Sequence, residues 1–542
     1  MAEIKRVFKV NGKPLFPIGA QSCNSSGYND KESETAFKVI KALQGNTLEI
    51  PVYWDNVAPT EDKFDFTSVD SLLASAHRYE VKLILLWFAS WKNGNMDYAP
   101  SWVKNNPKRF KKVISPTGKE IWDLSSHCQA NVEADKNAFT ALCKHLKAKD
   151  SADQTVIAIQ IQNEQGHLGS DRDYGPEAQA IFNSPVPAQL MAAMKKKGNG
   201  TIYDIWQKAG GKTSGTWPQV FGAEAGELMT AWSMANYDDG IAAAAKAVYD
   251  IPMYINVWLM DQDWWSRPGE SYPSGGAVGK VLDIYKWFTP HVDLIAPDNY
   301  RLDSRGYESV CATYARDDNP LFMPETIGDK YMFRALADYN AIGNFFYGTE
   351  FLVAEDGSIR PEAQPLINRV RSTVAAIPLL LKYQGTGKIH SVIQEEQLFT
   401  RILDLDGFEG LVEFGEKFTL PIGKDWRHMK ASWMGNSTQA APAPGCGLVI
   451  QAGKNEFYLV GNNFRLFLRP KLTLENMQAP LMLADGTAKT FAFINSVDEG
   501  HFDQDGEFMI DRRRNGDEIG NRGLWVESDI GVLRVITCTA QA

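Results

Sequence analysis

Histidine is scarce in this chain, and cysteine never occurs in a paired motif. The 542 residues include 8 histidines, and none of them has the spacing of a metal site. There is no Cys-x-x-Cys pair, so neither a zinc ribbon nor a redox dithiol is predicted. We therefore expect no metal and no cofactor. We also expect mostly free thiols at the scattered cysteines, which are Cys23, Cys128, Cys143, Cys311, Cys446 and Cys538.

The sequence also lacks a dense run of basic residues. Lys and Arg number 56 against 66 Asp and Glu, which gives a net charge of -10. Proteins that bind nucleic acid concentrate Lys and Arg on one surface to neutralise phosphates. A chain with an acidic balance and no basic cluster is therefore not expected to bind nucleic acid.

Long apolar runs are missing as well. No stretch reaches the roughly eighteen consecutive apolar residues that a membrane-spanning helix needs, so no membrane span is predicted. Residues 1–6 lack the apolar core of a signal peptide. We expect a periplasmic or cell-envelope location in a bacterium if a signal peptide was removed, and a cytoplasmic location otherwise. The sequence predicts no oligomeric state.

Aromatic side chains, by contrast, are abundant. Trp occurs 15 times, and aromatic residues make up 11% of the chain. Sugars stack their apolar C–H faces on aromatic rings, so aromatic residues in polar, loop-like segments indicate a carbohydrate site. Trp91, Trp258 and Tyr347 are the candidate sugar platforms. A single Trp taken alone is more often a core residue, because large proteins bury tryptophan.

Strand-like and helix-like segments alternate through the first two-thirds of the chain. Eight short apolar runs predict strands, and apolar residues at helical spacing predict the helices between them. Such alternation is typical of an α/β fold, and eight units predict a (β/α)8 TIM barrel over residues 1–385. Residues 166–249 are predicted to be the main insertion. The predicted strands are 15–20, 46–52, 82–88, 156–162, 252–258, 292–296, 321–324 and 342–347.

A different pattern begins near residue 386. Short alternating runs at 447–451, 456–460, 464–468 and 533–536 predict strands, and Asn- and Gly-rich turns separate them. This pattern predicts an all-β sandwich or jelly-roll module over residues 386–542.

The dipeptide Asn163-Glu164 ends the predicted strand 156–162. That strand is apolar on both faces, as in a buried parallel sheet. A carboxylate placed there does not fill the core, because burying an unpaired charge costs several kcal/mol. The carboxyl ends of barrel strands form the active site, so Glu164 is a candidate catalytic acid.

A second carboxylate occupies an equivalent position. Glu325 follows the predicted strand 321–324, about three barrel strands after Glu164. Two carboxylates across a barrel mouth are what glycosidic bond hydrolysis needs, one as acid and one as nucleophile or base. The alternative is a pair of structural carboxylates bonded to barrel arginines, and the matching strand-end positions favour catalysis.

Four segments resemble glycoside hydrolase family 35 β-galactosidases of clan A. They are 161–166 (Ile-Gln-Asn-Glu-Gln-Gly), 45–54 with Pro59 and 64–66, 99–103 (Ala-Pro-Ser-Trp-Val), and 297–300 (Pro-Asp-Asn-Tyr). The resemblance covers residues 10–350. Two features depart from the family, since Pro51 replaces a Tyr in strand two and the Cys-Ala-Glu triplet after strand three is absent. The resemblance therefore does not define the sugar pocket.

The resemblance implies a role for each strand-end residue. Glu164 would be the acid/base and Glu325 the nucleophile. Asn163 would bind the sugar 2-hydroxyl, and Tyr300 would orient Glu325. Asn299, beside Tyr300, is a further candidate substrate-binding residue.

The leading hypothesis is a retaining exo-β-galactosidase acting on plant-polysaccharide oligosaccharides, because the chain resembles a bacterial branch that trims galactose from xyloglucan side chains. One alternative is a retaining β-glycosidase of another specificity, such as a β-glucosidase, a β-mannosidase or an endo-glycanase. A further alternative is a carbohydrate-binding protein without catalysis. An oligosaccharide is the expected partner in each case.

Overall fold

A computed structural model describes most of the chain, namely residues 7–260, 266–328, 330–395, 400–414, 443–471, 492, 494–519, 524–527 and 531–538. The strands are β1 (Phe8–Val10), β2 (Lys13–Leu15), β3 (Ile18–Gln21), β4 (Thr47–Tyr53), β5 (Lys82–Lys92), β6 (Lys112–Ile114), β7 (Glu120–Leu124), β8 (Val156–Asn163), β9 (Met253–Trp258), β10 (Leu294–Asn299), β11 (Glu325–Thr326), β12 (Asn344–Tyr347), β13 (Ile389–Ile393), β14 (Thr400–Leu405), β15 (Phe408–Phe414), β16 (Cys446–Gly453), β17 (Glu456–Asn462), β18 (Phe464–Pro470), β19 (Ile494–Phe502), β20 (Phe508–Arg513), β21 (Leu524–Val526) and β22 (Val532–Thr537).

Helices connect most of the barrel strands. They are α1 (Asp30–Leu43), α2 (Trp54–Val57), α3 (Thr67–Tyr79), α4 (Ser101–Lys104), α5 (Gln129–Asp150), α6 (Pro176–Phe182), α7 (Ala188–Lys197), α8 (Thr201–Lys208), α9 (Trp217–Phe221), α10 (Ala225–Lys246), α11 (Leu282–Phe288), α12 (Ser304–Tyr314), α13 (Met332–Asp338), α14 (Gln364–Ala375), α15 (Ile377–Tyr383) and α16 (Gly516–Ile519). Short 3-10 helices occur at Gly222–Glu224, Thr349–Leu352 and Pro361–Ala363. Within the described residues, no helix has the length and apolarity needed to cross a membrane.

Eight parallel strands form a nearly closed barrel. Their order around it is β3, β4, β5, β8, β9, β10, β11 and β12, and β12 pairs again with β3. The gap between β11 and β12 is bridged at Met323 and Asn344. Each strand lies at or beside a predicted one, so the predicted TIM-barrel fold is confirmed.

The seventh strand differs most from its prediction. The predicted residues 321–324 contribute only a bridge at Met323, and the regular pairing with β10 covers Glu325–Thr326. Pro324 has no backbone N–H to donate, which limits ladder bonding at that point. The result places Glu325 inside the paired strand rather than after it.

The predicted insertion is helical. Helices α6 to α10 lie between β8 and β9. The longest of them, α10, packs against α5 and α11 on the outside of the barrel. The barrel therefore keeps a helical layer beside the strand that carries Glu164.

The C-terminal part contains two antiparallel sheets. One has the order β13-β16-β17-β22-β19-β20 and the other β14-β15-β18-β21. Alternate residues of β16 face opposite sides, because Val449 packs between the sheets whereas Leu448 and Ile450 join the core shared with the barrel helices. The predicted all-β module is confirmed, and all the strands predicted within it are present.

The change from helices to antiparallel strands falls between the end of α15 and the start of β13. We propose residues 1–385 and 386–542 as the domain division on that basis.

The start of β8 is held by one carboxylate at the end of α5. Asp150 is 1% exposed, and its two oxygens accept the backbone N–H groups of Thr155 at 3.0 Å and Val156 at 2.8 Å. Asp150→Ala leaves both buried donors without a partner, so we expect a loss of about 2–4 kcal/mol in the free energy of unfolding. Denaturant titration measures this loss. The matched control is Asp153→Ala, because Asp153 is 59% exposed, and an equal loss there would contradict the account.

Candidate active site

Three carboxylates meet at the carboxyl end of the barrel. They are Glu164 after β8, Asp298 in β10 and Glu325 in β11. One carboxylate oxygen from each lies within 4.8 Å of the others. They face a cavity of about 380 Å³ lined by Asn93, Glu164, Trp258, Leu259, Asp298, Tyr300, Arg301 and Glu325. The structure thus brings the two predicted glutamates together and adds a carboxylate that was not predicted.

The backbone that presents Glu164 is constrained. Glu164 has φ 45°, in the left-handed region that non-glycine residues seldom adopt and that clusters at functional sites. Its N–H donates to Asn256 Oδ1 at 2.9 Å. Two residues on, Gly166 has φ 137°, and a Cβ there would come within 2.5 Å of Pro273. Only glycine therefore fits the turn that fixes Glu164.

Glu325 is held by its strand neighbour and by a tyrosine. Asp298 and Glu325 are register partners of the parallel pair β10–β11. The Tyr300 hydroxyl donates to Glu325 Oε1 at 2.5 Å. Burial, and next the charge of Glu325, raise the pKa of Tyr300, so Tyr300 remains a protonated donor. Tyr300 thus contacts Glu325 directly, and its orienting role stays a prediction.

The two carboxyls beside Glu325 have perturbed pKa values. Burial, and next the charge of Glu325, raise the pKa of Glu164 to about 7, and the charge of Lys92 opposes that shift. Burial, and then the charges of Glu325 and Glu164, raise the pKa of Asp298 well above its usual range. Burial lowers the pKa of Lys92, while the three carboxylates oppose this. The arrangement favours a protonated Glu164 near neutral pH.

Two amides of the site contact Glu164 and its strand. Asn93 Nδ2 donates to Glu164 Oε2, and Lys92 Nζ donates to Asn93 Oδ1. Asn163 is 1% exposed, and its Oδ1 accepts from Gln160 Nε2 at 3.1 Å. Among the described residues nothing accepts a bond from Asn163 Nδ2. The Nδ2 atom is itself buried, and Asn163 is not among the residues that line the cavity.

The other predicted substrate-binding residues separate into two groups. Trp258 lines the cavity. Tyr347 is partly exposed and lies near Glu325. Burial is the main cause that raises the pKa of Tyr347 to about 12, and the charge of Glu325 adds to it. Trp91, contrary to the prediction, is 0% exposed and donates to the Leu124 carbonyl at 3.2 Å, so it presents no face to a sugar. Asn299 is also 0% exposed; its Oδ1 accepts from the backbone of Arg301. It therefore orders the chain after β10.

Sequence reasoning missed Asp298, Lys92, Asn93 and Asn256. Asp298 obeys the same strand-end rule that indicated the two glutamates. The sixth strand was predicted to stop at Ala296, whereas β10 continues to Asn299. Likewise β5 reaches Lys92 instead of Phe88. For Asp298 and Lys92, strand length was therefore the missing information, whereas Asn256 lies within the predicted strand 252–258.

The three carboxylate oxygens are also close enough to share a hard divalent cation, which prefers oxygen ligands. Two carboxyls at a separation of this order are also what glycosidic bond hydrolysis with retention uses.

The chain matches two family models. Residues 25–210 match that of glycoside hydrolase family 42, described as beta-galactosidase, and residues 374–525 match a domain of unknown function, DUF5597. No curated protein sequence matches. The predicted membership of family 35 is wrong, because the matching model is that of family 42.

Solved structures match this chain at low identity and with TM-scores under 0.5. A beta-galactosidase from Bacillus circulans sp. alkalophilus has a TM-score of 0.46 at 11% identity, over 67% of this chain and 56% of that one. A family 42 beta-galactosidase from G. stearothermophilus has a TM-score of 0.47 at 11% identity, over 67% and 57%. An exo-beta-1,4-mannosidase from Opitutaceae bacterium strain TAV5 has a TM-score of 0.41 at 12% identity, over 69% and 62%. This chain thus spans less than two-thirds of the length of these proteins. The match of residues 25–210 to a beta-galactosidase family model indicates a glycoside hydrolase.

Proposed function

We propose that this protein is a retaining exo-β-galactosidase that releases terminal galactose from plant-polysaccharide oligosaccharides. Glu325 is the nucleophile and Glu164 the acid/base. The observation that carries the proposal is that one oxygen of each carboxylate lies within 4.8 Å of one oxygen of the other. Retaining enzymes place the two carboxyls about 5–5.5 Å apart, whereas inverting enzymes need about 6.5–9.5 Å to admit a water.

The electrostatics support this division of roles. An acid must hold a proton at the working pH, and the pKa of Glu164 is raised to about 7 by burial and by the charge of Glu325. A nucleophile must be ionised, and Tyr300 donates a hydrogen bond to Glu325. One carboxyl is thus prepared to give a proton and the other to attack.

The reaction has two steps. Glu325 attacks the anomeric carbon while Glu164 protonates the leaving oxygen, which gives a glycosyl-enzyme. Glu164 then takes a proton from water, whose oxygen displaces Glu325 from the same carbon. The family resemblance assigns the sugar 2-hydroxyl to Asn163, which directly precedes Glu164 and whose buried Nδ2 has no acceptor among the described residues. A bond that tightens in the transition state accelerates both steps.

Galactose is the proposed sugar because the family model matching residues 25–210 is that of beta-galactosidases. A panel of aryl β-galactoside, β-glucoside and β-mannoside tests this choice, and we expect the highest kcat/KM for the galactoside. Activity on xyloglucan oligosaccharides tests the proposed plant-polysaccharide substrate. Release of free galactose rather than longer products tests exo action. Binding without turnover across the panel would support the non-catalytic alternative.

The pH dependence of kcat/KM reports the acid. Because Glu164 must be protonated and the pKa of Glu164 is raised to about 7, kcat/KM should fall as pH rises through about 7. The charge of Lys92 lowers this pKa, so Lys92→Met should move the basic limb to higher pH. Titration of kcat/KM with an aryl galactoside measures both.

The control for this experiment is Lys13→Met, which removes an exposed lysine from β2 and should leave the limb in place. A limb that stays fixed or moves to lower pH in Lys92→Met would contradict the assignment of Glu164 as the acid.

A further inference from the structure

Asp298 is a buried carboxyl that the two-carboxylate mechanism does not use. It is 3% exposed, and an oxygen of its side chain lies within 4.8 Å of both catalytic carboxylates. Its register partner on β11 is Glu325. A third negative charge at this position would oppose the ionisation of the nucleophile, so its protonation state matters for the reaction.

The hydrogen bonds of Asp298 are incomplete for a carboxylate. Asn256 Nδ2 donates to Oδ2 at 2.7 Å. The other oxygen, Oδ1, is buried, and no group in the described part of the chain donates to it. An ionised carboxylate only accepts hydrogen bonds, so it would leave Oδ1 desolvated and unpaired. A protonated carboxyl has a donor of its own and removes that penalty.

The charges around Asp298 lead to the same conclusion. Lys92 carries a positive charge that all three carboxylates face. Arg301 also lines the cavity. The mechanism assigns the ionised form to Glu325, and the charges of Glu325 and Glu164 oppose the ionisation of Asp298. The titratable groups whose charge acts on Asp298, or on which Asp298 acts, are Glu164, Glu325, Glu49, Lys92, Tyr254, Tyr300 and Tyr314.

We propose that Asp298 is protonated in the resting enzyme and donates a hydrogen bond to Glu164, so that it positions the acid/base and stabilises its ionised form. This rests on the proposed function of Glu164. Glu325 Oε1 already receives the Tyr300 hydroxyl, whereas Asn93 occupies only Oε2 of Glu164, and a carboxylate oxygen of Glu164 lies within 4.8 Å of one of Asp298. A bond of this kind would raise the pKa of Asp298 and lower that of Glu164, in the direction of the interaction between these two side chains.

The consequence for catalysis lies mainly in the second step. Glu164 is ionised once it has protonated the leaving group. A neutral donor beside it stabilises this charge without adding a negative charge next to the glycosyl-enzyme. An ionised Asp298 would do the opposite and raise the pKa of Glu164.

Two substitutions of Asp298 shift the basic limb of the kcat/KM profile in one direction if Asp298 is protonated and in the other direction if it is ionised. Asp298→Leu removes the donor, so the basic limb of the kcat/KM profile should move up by about one pH unit or more. Asp298→Asn keeps a donor and an acceptor of similar shape, so the limb should move less than in Asp298→Leu. If Asp298 were ionised, both substitutions would remove a repelling charge and move the limb down. A limb that stays fixed in Asp298→Leu, or moves down in either variant, overturns the proposal.

Infrared spectroscopy tests the proton without turnover. A protonated carboxyl gives a C=O band distinct from that of a carboxylate, and the difference spectrum of wild type against Asp298→Asn at neutral pH should contain it. The matched control is Glu49→Gln, since Glu49 is also buried in the barrel and burial raises the pKa of Glu49; its substitution should leave the Asp298 band. Absence of the band overturns the proposal even if Asp298→Leu does not fold. If the band is present but the Glu164→Ala variant keeps normal activity, the function proposed for Glu164 is overturned instead.

Discussion

Glu325→Ala should lower kcat by several orders of magnitude on every β-galactoside, because the attacking carboxylate is gone and no glycosyl-enzyme can form. The fold should survive. Glu325 is 9% exposed at the cavity, and the alanine removes a charge from a crowded site. Steady-state kinetics measure the loss, and circular dichroism checks the fold.

Azide provides a sharper test of the same residue. The space left by the Glu325 carboxylate should admit this small anion, which would attack the anomeric carbon from the same face. The product would be an α-galactosyl azide, with the configuration inverted. Glu355→Ala is the control, because Glu355 is exposed, and it should keep normal turnover without azide. Near-normal turnover of Glu325→Ala would show that Glu325 is not the nucleophile.

Glu164→Ala should separate substrates by their leaving groups. A sugar leaving group needs a proton from Glu164, so turnover of oligosaccharides should fall by several orders of magnitude. A dinitrophenyl leaving group departs without a proton, so the first step should be little affected. The second step loses its base, and the glycosyl-enzyme should accumulate as a burst of released phenol.

Azide also tests the acid/base role of Glu164. In Glu164→Ala, azide should attack the accumulated glycosyl-enzyme from the face opposite Glu325 and give a β-galactosyl azide, which restores turnover. The two alanine variants should thus give azides of opposite configuration. Equal losses of activity on the oligosaccharide and on the dinitrophenyl substrate, without a burst, would contradict an acid/base role for Glu164.

The barrel could be predicted from sequence because its strands are buried on both faces. The strand β8 is buried at every residue, and such apolar runs are visible without a structure. The position of Glu164 followed directly, since a charge at the end of such a run has few structural uses. Glu325 was found by the same reasoning, although its strand pairs regularly only at Glu325–Thr326.

The surroundings of the two glutamates could not be predicted in the same way. Lys92 and Asp298 lie at the ends of strands that continue beyond their apolar runs, and composition does not show where such pairing stops. Trp91 sits in a polar sequence context, yet the fold turns it into the core beside Tyr237. Local sequence shows that a residue is polar or aromatic, whereas only the three-dimensional arrangement decides which side of the strand it faces.

The family was harder to predict than the chemistry. Short motifs at strand ends reflect what glycosidic bond cleavage requires, and different families with one fold meet that requirement in similar ways. The motifs were sufficient to predict a glycoside hydrolase. The family model that matches residues 25–210 corrects the predicted family from 35 to 42.

The central claim is that Glu164 and Glu325 cleave a glycosidic bond with two displacements at one carbon. Proton NMR of the first sugar formed from an aryl β-galactoside, recorded before mutarotation, tests it most directly. The account predicts that β-galactose appears first and that the α anomer grows in later. If α-galactose appears first, the configuration has been inverted, and the two-step mechanism is contradicted.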